Sequence, residues 1–244
     1  MFLRDRSKQA ESLDSPGRSA SAVALDYRFL GYANRVFFAS HPFVLVLPRL
    51  LGRDRCQHLS LLDVGAGDGA MGKRLIRWAS GRGWKWQVTN LDINPMSLAL
   101  NPKGTNVAGS ALELPFTDSC FDIVIASQMT HHLNTEKEIR HHFREAWRVA
   151  RQGVLLCDLH RNLLLYELVR LGTWLLRFPA PLRQDGLTSV RRGFRLPEWK
   201  ALAREAGIRE AKVWLYFGTR IILQSKKQLE VACSDGCVPV APSH

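Results

Sequence analysis

No stretch of this sequence approaches the roughly 18 consecutive apolar residues of a bilayer-spanning helix. The start, with Arg4, Asp5 and Lys8, lacks the apolar core of a secretory signal. The five cysteines, Cys56, Cys120, Cys157, Cys233 and Cys237, include no C-x-x-C pair. Reduced thiols are therefore expected rather than a disulfide frame or zinc site, and the expected location is cytoplasmic. The net charge is +12, yet no continuous basic run interleaves with aromatics, so nucleic acid is not the expected partner. The 244 residues, 46% hydrophobic, suit one α/β domain with modest extensions and leave no room for a second substrate domain.

What the chain does have is concentrated in Leu61-Leu62-Asp63-Val64-Gly65-Ala66-Gly67-Asp68-Gly69. An apolar strand runs into glycines at alternate positions, and a helical pattern follows. Glycines there let a ligand lie against bare backbone beside the unpaired N–H groups of a helix start. The same residues, read to Ala70, fit the dinucleotide pattern G-x-G-x-x-A, which expects an acid about 20 residues on. Here the acid closing the second strand is Asp92, 27 positions after Gly65. Asp63 and Asp68 would repel a pyrophosphate, whereas a cationic sulfonium tolerates them.

Strand and helix patterns alternate from there. Strands are expected near 60–64, 86–91, 105–108, 121–126 and 154–158, with helices near 70–79 and 135–150. Phe121 to Ala126 is almost wholly apolar, as in a strand buried on both faces. The alternation predicts a doubly wound parallel sheet. Residues 22–52 read as two short helices broken at Pro42 and Pro48. Gln184 to Gly193 reads as mobile, and 210–217 and 219–225 as closing strands.

Four segments in order resemble class I S-adenosylmethionine-dependent methyltransferases of the quinone and small-molecule type. They are Leu61 to Gly69, Leu91-Asp92-Ile93-Asn94, Gly109 to Phe116 (G-S-A-L-E-L-P-F), and Phe121 to Ser127 followed by Gln128 to Leu133. The resemblance covers roughly residues 55–225. It implies a Rossmann-like seven-stranded sheet, mostly parallel with an antiparallel C-terminal edge hairpin, and S-adenosyl-L-methionine as cofactor. The chain then divides into a disordered lead (1–20), an N-terminal helical cover (21–55), a methyltransferase domain (56–225) with a lid-like insertion (161–195), and a flexible tail (226–244).

The resemblance places the cofactor on Gly65, Ala66, Gly67 and Gly69, with Asp92 and Ile93 at the ribose. A carboxylate can accept from both ribose hydroxyls. Asp63 either braces the loop or faces the cofactor's amino group. Ser110, Ala111 and Leu112 fall at the adenine edge, Ser110 standing where the family often has an acid. Ser127 and Gln128 follow the fourth strand, beside the expected methyl group. His131 or His132 there, or His160 on the same rim, could act as general base, and each could equally be a packing or capping residue. Arg161 could steady an anion, and Asp158 could be only a cap. No metal is expected, because His141 and His142 lie on a separate helix and no carboxylate is spaced to complete a site.

The leucine-rich segment 161–181 implies an apolar small-molecule acceptor, such as a phenol, quinol or lipid-like polyketide, with O-methylation favoured over C-methylation. It reads as a lid, as core, or as a basic face for peripheral membrane contact. A nucleic-acid methyltransferase, a non-catalytic binding module and an NAD oxidoreductase are the alternatives. The first lacks both the D/N-P-P-Y/F motif and a Pro-Cys nucleophile. Oligomeric state is not encoded in any of these motifs.

Overall fold

The computed structural model describes residues 3–12, 15, 17–52, 56–208 and 210–227. Seven strands form one sheet in the order β3-β2-β1-β4-β5-β7-β6. They are β1 (His58–Val64), β2 (Lys85–Asp92), β3 (Thr105–Ala108), β4 (Phe121–Ser127), β5 (Ala150–Leu159), β6 (Lys212–Tyr216) and β7 (Arg220–Lys226). The first five pair in parallel. β7 runs antiparallel between β5 and β6, giving the edge hairpin.

Alternate residues of the central strands enter two cores. Leu62, Val64, Val124, Ala126 and Leu156 face one layer, filled by α5 (Glu136–Val149) and α8 (Leu196–Glu205) through Phe143 and Trp199. Leu61, Ile123, Ile125 and Leu155 face the other, filled by α2 (His41–Leu51) and α3 (Ala70–Ser80) through Phe43 and Leu75. Each buried leucine or isoleucine contributes roughly 1.5–3 kcal/mol of transfer free energy, which sets the strand register firmly. Strand order reverses at β1, between β2 and β4. The crevice beyond their C-terminal ends is therefore the site position in open α/β sheets.

Three regions differ from the sequence reading. Gln184 to Gly193 is not a mobile stretch, since most of it lies in α7 (Ala180–Arg192). The inward face of α7 includes Asp185, Thr188 and Arg192, so its helical period is carried partly by polar residues and escapes a hydrophobic pattern search. Pro48 does not end α2, which continues to Leu51, while Pro42 occupies the first turn. Residues 3–12, expected as a disordered lead, are bonded across the fold: Ser7 N donates to Arg191 O (3.0 Å) and Ser12 N to Asp185 Oδ1 (2.9 Å).

The remaining helices are α1 (Ala20–Val36), α4 (Pro95–Ala99) and α6 (Leu163–Leu175), so segment 161–181 is one helix followed by the start of α7. Cys56 and Cys157 are free and buried. Cys120 is disulfide-bonded, which departs from the expectation of wholly reduced thiols. Of the expected tail, all beyond Lys227 lies outside the described residues. Among those described, no helix is long and apolar enough to cross a membrane.

Candidate functional site

The loop after β1 is held by its neighbour strand. Gly65 N and Ala66 N donate to Leu91 O (2.8 and 3.0 Å), and Gly67 N donates to Asp92 Oδ2 (2.8 Å). Asn94 N donates to the other oxygen, Asp92 Oδ1 (2.8 Å). Asp92 thus braces the glycine loop and keeps lone pairs for a ligand, since each carboxylate oxygen accepts more than one bond. Gly65 and Gly67 have φ of 71° and 57°. A Cβ would collide with Met129 at the first and with Tyr27 of α1 at the second. Both positions therefore need glycine twice over, for backbone conformation and for space.

Asp63 closes β1 directly behind this loop. It is buried, and its Oδ2 has no hydrogen-bond partner among the described residues. Burial, reinforced by Asp92 and Asp68, raises its pKa to about 8. A buried carboxyl with an unsatisfied oxygen fits a ligand that brings a cation, such as an α-amino group, and opposes a pyrophosphate.

A cavity of about 800 Å³ opens over these residues. Asp63, Gly65, Ala66, Gly67, Asp92, Ile93, Ser110, Ala111, Leu112, Ser127, Gln128, His131 and His132 all line it. Gly69 does not; it is the left-handed N-cap of α3. Ile93 is largely exposed. Ser110 Oγ accepts from Leu112 N (3.1 Å), which turns the chain at the expected adenine edge. Gln128, itself at φ 55°, donates from Nε2 to Asn34 Oδ1 (2.9 Å) and so ties α1 to the end of β4. The helices α1, α6 and α7, with the α6–α7 link, add an apolar group to the cavity wall, Phe29, Leu165, Val169, Phe178 and Leu182, with Thr173, Asp185 and Ser189 among them.

His131 is the most constrained of the candidate bases. Its Nδ1 lies 2.7 Å from Asp158 Oδ1, and its backbone N donates to Asp158 Oδ2 (3.0 Å). Asp158 is fully buried. Burial pushes its carboxyl up, but the facing His131 and three hydrogen bonds outweigh this and hold it below the usual value. The Asp158 partner leaves His131 Nε2 toward Glu11, whose Oε1 lies 3.6 Å away. The His132 ring lies against that of His131, centroids 4.4 Å apart.

Glu11 and the two arginines around this cluster were not singled out in the sequence. Arg6 donates through Nη2 to His131 O and Leu133 O (2.8 and 2.5 Å), and Arg192 through Nε to His131 O (2.9 Å) and Nη2 to His132 O (2.6 Å). Burial lowers the Arg6 pKa to about 10 against the opposing pull of Asp158. One atom each from Glu11, His131 and His132 lie within 4.8 Å of one another, close enough to hold a metal ion. The two guanidinium groups bonded to the backbone of this cluster weigh against a metal cation there. No sequence signal marks Glu11, which sits in a polar segment.

His160 is elsewhere. Its Nδ1 is 2.9 Å from Gly218 O and 2.5 Å from Asn162 Nδ2, at the β6–β7 turn, and it does not line the cavity. Arg161 is also outside it. Its buried guanidinium bonds Gly193 O (2.6 Å) and Glu198 Oε1 (2.5 Å), which makes it a clamp between segments rather than a group that meets an acceptor.

Residues 62–157 match the methyltransferase domain family. A demethylmenaquinone methyltransferase of Roseiflexus sp. (strain RS-1) is 35% identical over 119 residues, covering 46% of this chain and 47% of the relative. The chain spans about half the length of the curated relatives it matches. Among solved structures, a SAM dependent methyltransferase from Aquifex aeolicus superposes with a TM-score of 0.55 at 15% identity, over 86% of this chain and 98% of the other. Magnesium protoporphyrin IX methyltransferase from Synechocystis PCC 6803, solved with bound SAH, gives 0.53 at 16% identity, over 88% and 91%. Residues 62–157 thus resemble a methyltransferase domain, and the seven-stranded fold is shared with these two solved methyltransferases. The matched segment contains the glycine loop, Asp92 and the His131–His132 pair.

Proposed function

We propose that this protein transfers a methyl group from S-adenosylmethionine to the hydroxyl of an apolar small molecule of the phenol or quinol kind. One observation carries the reading: a single cavity has an acid-lined, glycine-walled part, an apolar part, and the Asp158–His131 pair reaching it. The methyltransferase named above as a relative acts, by its name, on a demethylated quinone, which supports that acceptor class.

The residues present fit the cofactor. Asp92 would take the ribose hydroxyls, Asp63 the amino group, the loop backbone the amino-acid portion, and Ser110 to Leu112 the adenine. Bound there, the sulfonium supplies an electrophilic methyl group. The chain's own work is then alignment, exclusion of water and removal of one proton. His131 Nε2 accepts the proton from the acceptor hydroxyl. Asp158 holds Nδ1–H, fixes the tautomer and stabilises the imidazolium that forms. Glu11, beside Nε2, offers a second carboxylate for that charge.

Incubation with labelled S-adenosylmethionine and a panel of long-chain phenols, quinols, short polar phenols and RNA tests this. Label should enter the apolar phenols or quinols. Label in RNA alone, or in no acceptor while the cofactor binds, would refute the reading.

A further inference from the structure

The apolar wall of the cavity has a second apolar side, facing out. α6 turns Leu165 and Tyr166 inward, while Leu163, Leu164, Leu171, Trp174 and Leu175 are 53–73% exposed. Two turns end beside it. The β6–β7 turn presents Phe217, 77% exposed, and the α1–α2 junction presents Phe38, 70% exposed.

Contacts join the three elements into one surface. Asn162, the N-cap of α6, donates to Gly218 O in the β6–β7 turn (2.5 Å). A Cβ at Gly172 of α6 would meet the Phe37 ring at 3.1 Å. Arg220 Nη2 donates to Phe37 O (3.1 Å), and Tyr216 OH lies 2.5 Å from His41 Nδ1. Phe38 lies tilted beside His41, centroids 6.4 Å apart, and Phe217 meets Tyr216 edge-on at 4.5 Å.

The backbone at this surface is also unusual. Phe38, Phe217 and Arg177 have φ of 50°, 45° and 53°, three of the five non-glycine residues in the left-handed region among those described. A bulky side chain there costs on the order of 1 kcal/mol or more. The Phe38 and Phe217 rings are mostly exposed, each with one aromatic neighbour, so packing within the chain repays only part of that cost. A surface outside the chain that covered these rings would repay the rest.

The charge around them selects that surface. Arg35 closes α1 near Arg74 and Arg77, close enough that they lower the Arg74 pKa together with its burial. Arg49 acts on Tyr216, and Arg177 follows α6; both arginines are exposed. On the outer part of α6 the acid Glu167 is bonded to Arg170 (2.7 Å). A second copy of this chain would set one basic rim against another. An anionic bilayer accepts both the rings and the rim.

We propose that α6, the β6–β7 turn and the α1–α2 junction dock together on an anionic lipid surface, with Phe38, Phe217 and Trp174 entering the headgroup boundary. α6 then stands between bilayer and cavity, so an acceptor dissolved in lipid has only this helix to pass. That last step rests on the apolar-acceptor reading; the docking itself does not.

The test is co-sedimentation of the full chain with vesicles of phosphatidylcholine alone or mixed with phosphatidylglycerol. Binding is expected to the mixed vesicles, weakening as salt rises. The double substitution Phe38→Asn and Phe217→Asn should reduce partitioning roughly tenfold or more, while thermal stability holds or rises, because asparagine tolerates left-handed backbone. Equal binding to both vesicles, undiminished binding by the double variant, or self-association without vesicle binding would each overturn the proposal. Vesicle binding kept by Asp92→Ala, which should lose the cofactor, separates failure of docking from failure of the methyltransferase reading.

Discussion

At the glycine-loop end of the cavity, the contacts that lock the loop are close in sequence. Gly67 and Asp92 are 25 residues apart. Around His131 the separations are mixed: its pair with Asp158 spans 27 residues, but the contacts that cover it come from much further away. Arg6 reaches the His131 carbonyl across 125 residues, and Ser12 reaches Asp185 across 173. The first end is built from backbone conformation, and backbone demands leave glycines at fixed spacing. The second is built from polar side chains meeting across the fold, and a polar residue facing inward looks the same in sequence as one facing water.

Breaking the comparison at its acceptor end should give the largest effect. His131→Asn, or Asp158→Asn with the tautomer left unfixed, should lower kcat by about 10²–10⁴-fold, the range for a general base. Cofactor affinity, measured by titration calorimetry, should stay nearly unchanged. A parallel loss of cofactor binding would mean that this pair only supports the β4–β5 rim.

At the cofactor end, Asp92→Ala removes the brace on Gly67 N and Asn94 N together with the expected ribose acceptor. Two bonds to a charged group are worth about 3 kcal/mol or more between them, so cofactor Kd should rise roughly 100-fold or more. Wild-type affinity in this variant would place the ligand elsewhere.

Glu11→Gln tests whether the N-terminal strap takes part in the chemistry. If Glu11, 3.6 Å from His131 Nε2, supports that ring during proton transfer, kcat should fall about tenfold with cofactor affinity unchanged. An unchanged kcat would leave residues 3–12 a cover only.

A further effect is thermodynamic and separate from turnover. Asp63 has a pKa of about 8 in the folded chain, raised by burial, against 3.8 for an ordinary aspartate. The folded state therefore binds a proton that the unfolded state has released, and stability of the cofactor-free protein should fall as pH rises from about 4 to about 8. Thermal melts across that range should show the slope, and Asp63→Asn should flatten it. A saturating cationic ligand should also flatten it, by favouring the ionised form.

Much of the site was legible in sequence for definite reasons. Leu61 to Gly69 and Phe121 to Ser127 showed a buried strand, its end and its turn, so Asp92, Ser127 and the His131–His132 pair could be placed on one rim. His160 was expected on that rim too. It leaves the cavity because β7 pairs antiparallel beside β5 and draws its ring to Gly218. α7 was missed because Asp185, Thr188 and Arg192 occupy its inner face. Glu11 and Arg6 were missed because a polar lead carries no mark of where it will lie.

The order of apolar runs, glycines and the acid after the second strand was enough to determine the sheet and its switch point, since each follows from local backbone geometry and two-faced burial. Only the tertiary structure decided that residues 3–12 reach His131, that Asp158 stands behind it, and that α6 meets two strained aromatic turns on the outer surface. Those juxtapositions depend on side chains brought together by chain closure over long separations, and no local pattern records them.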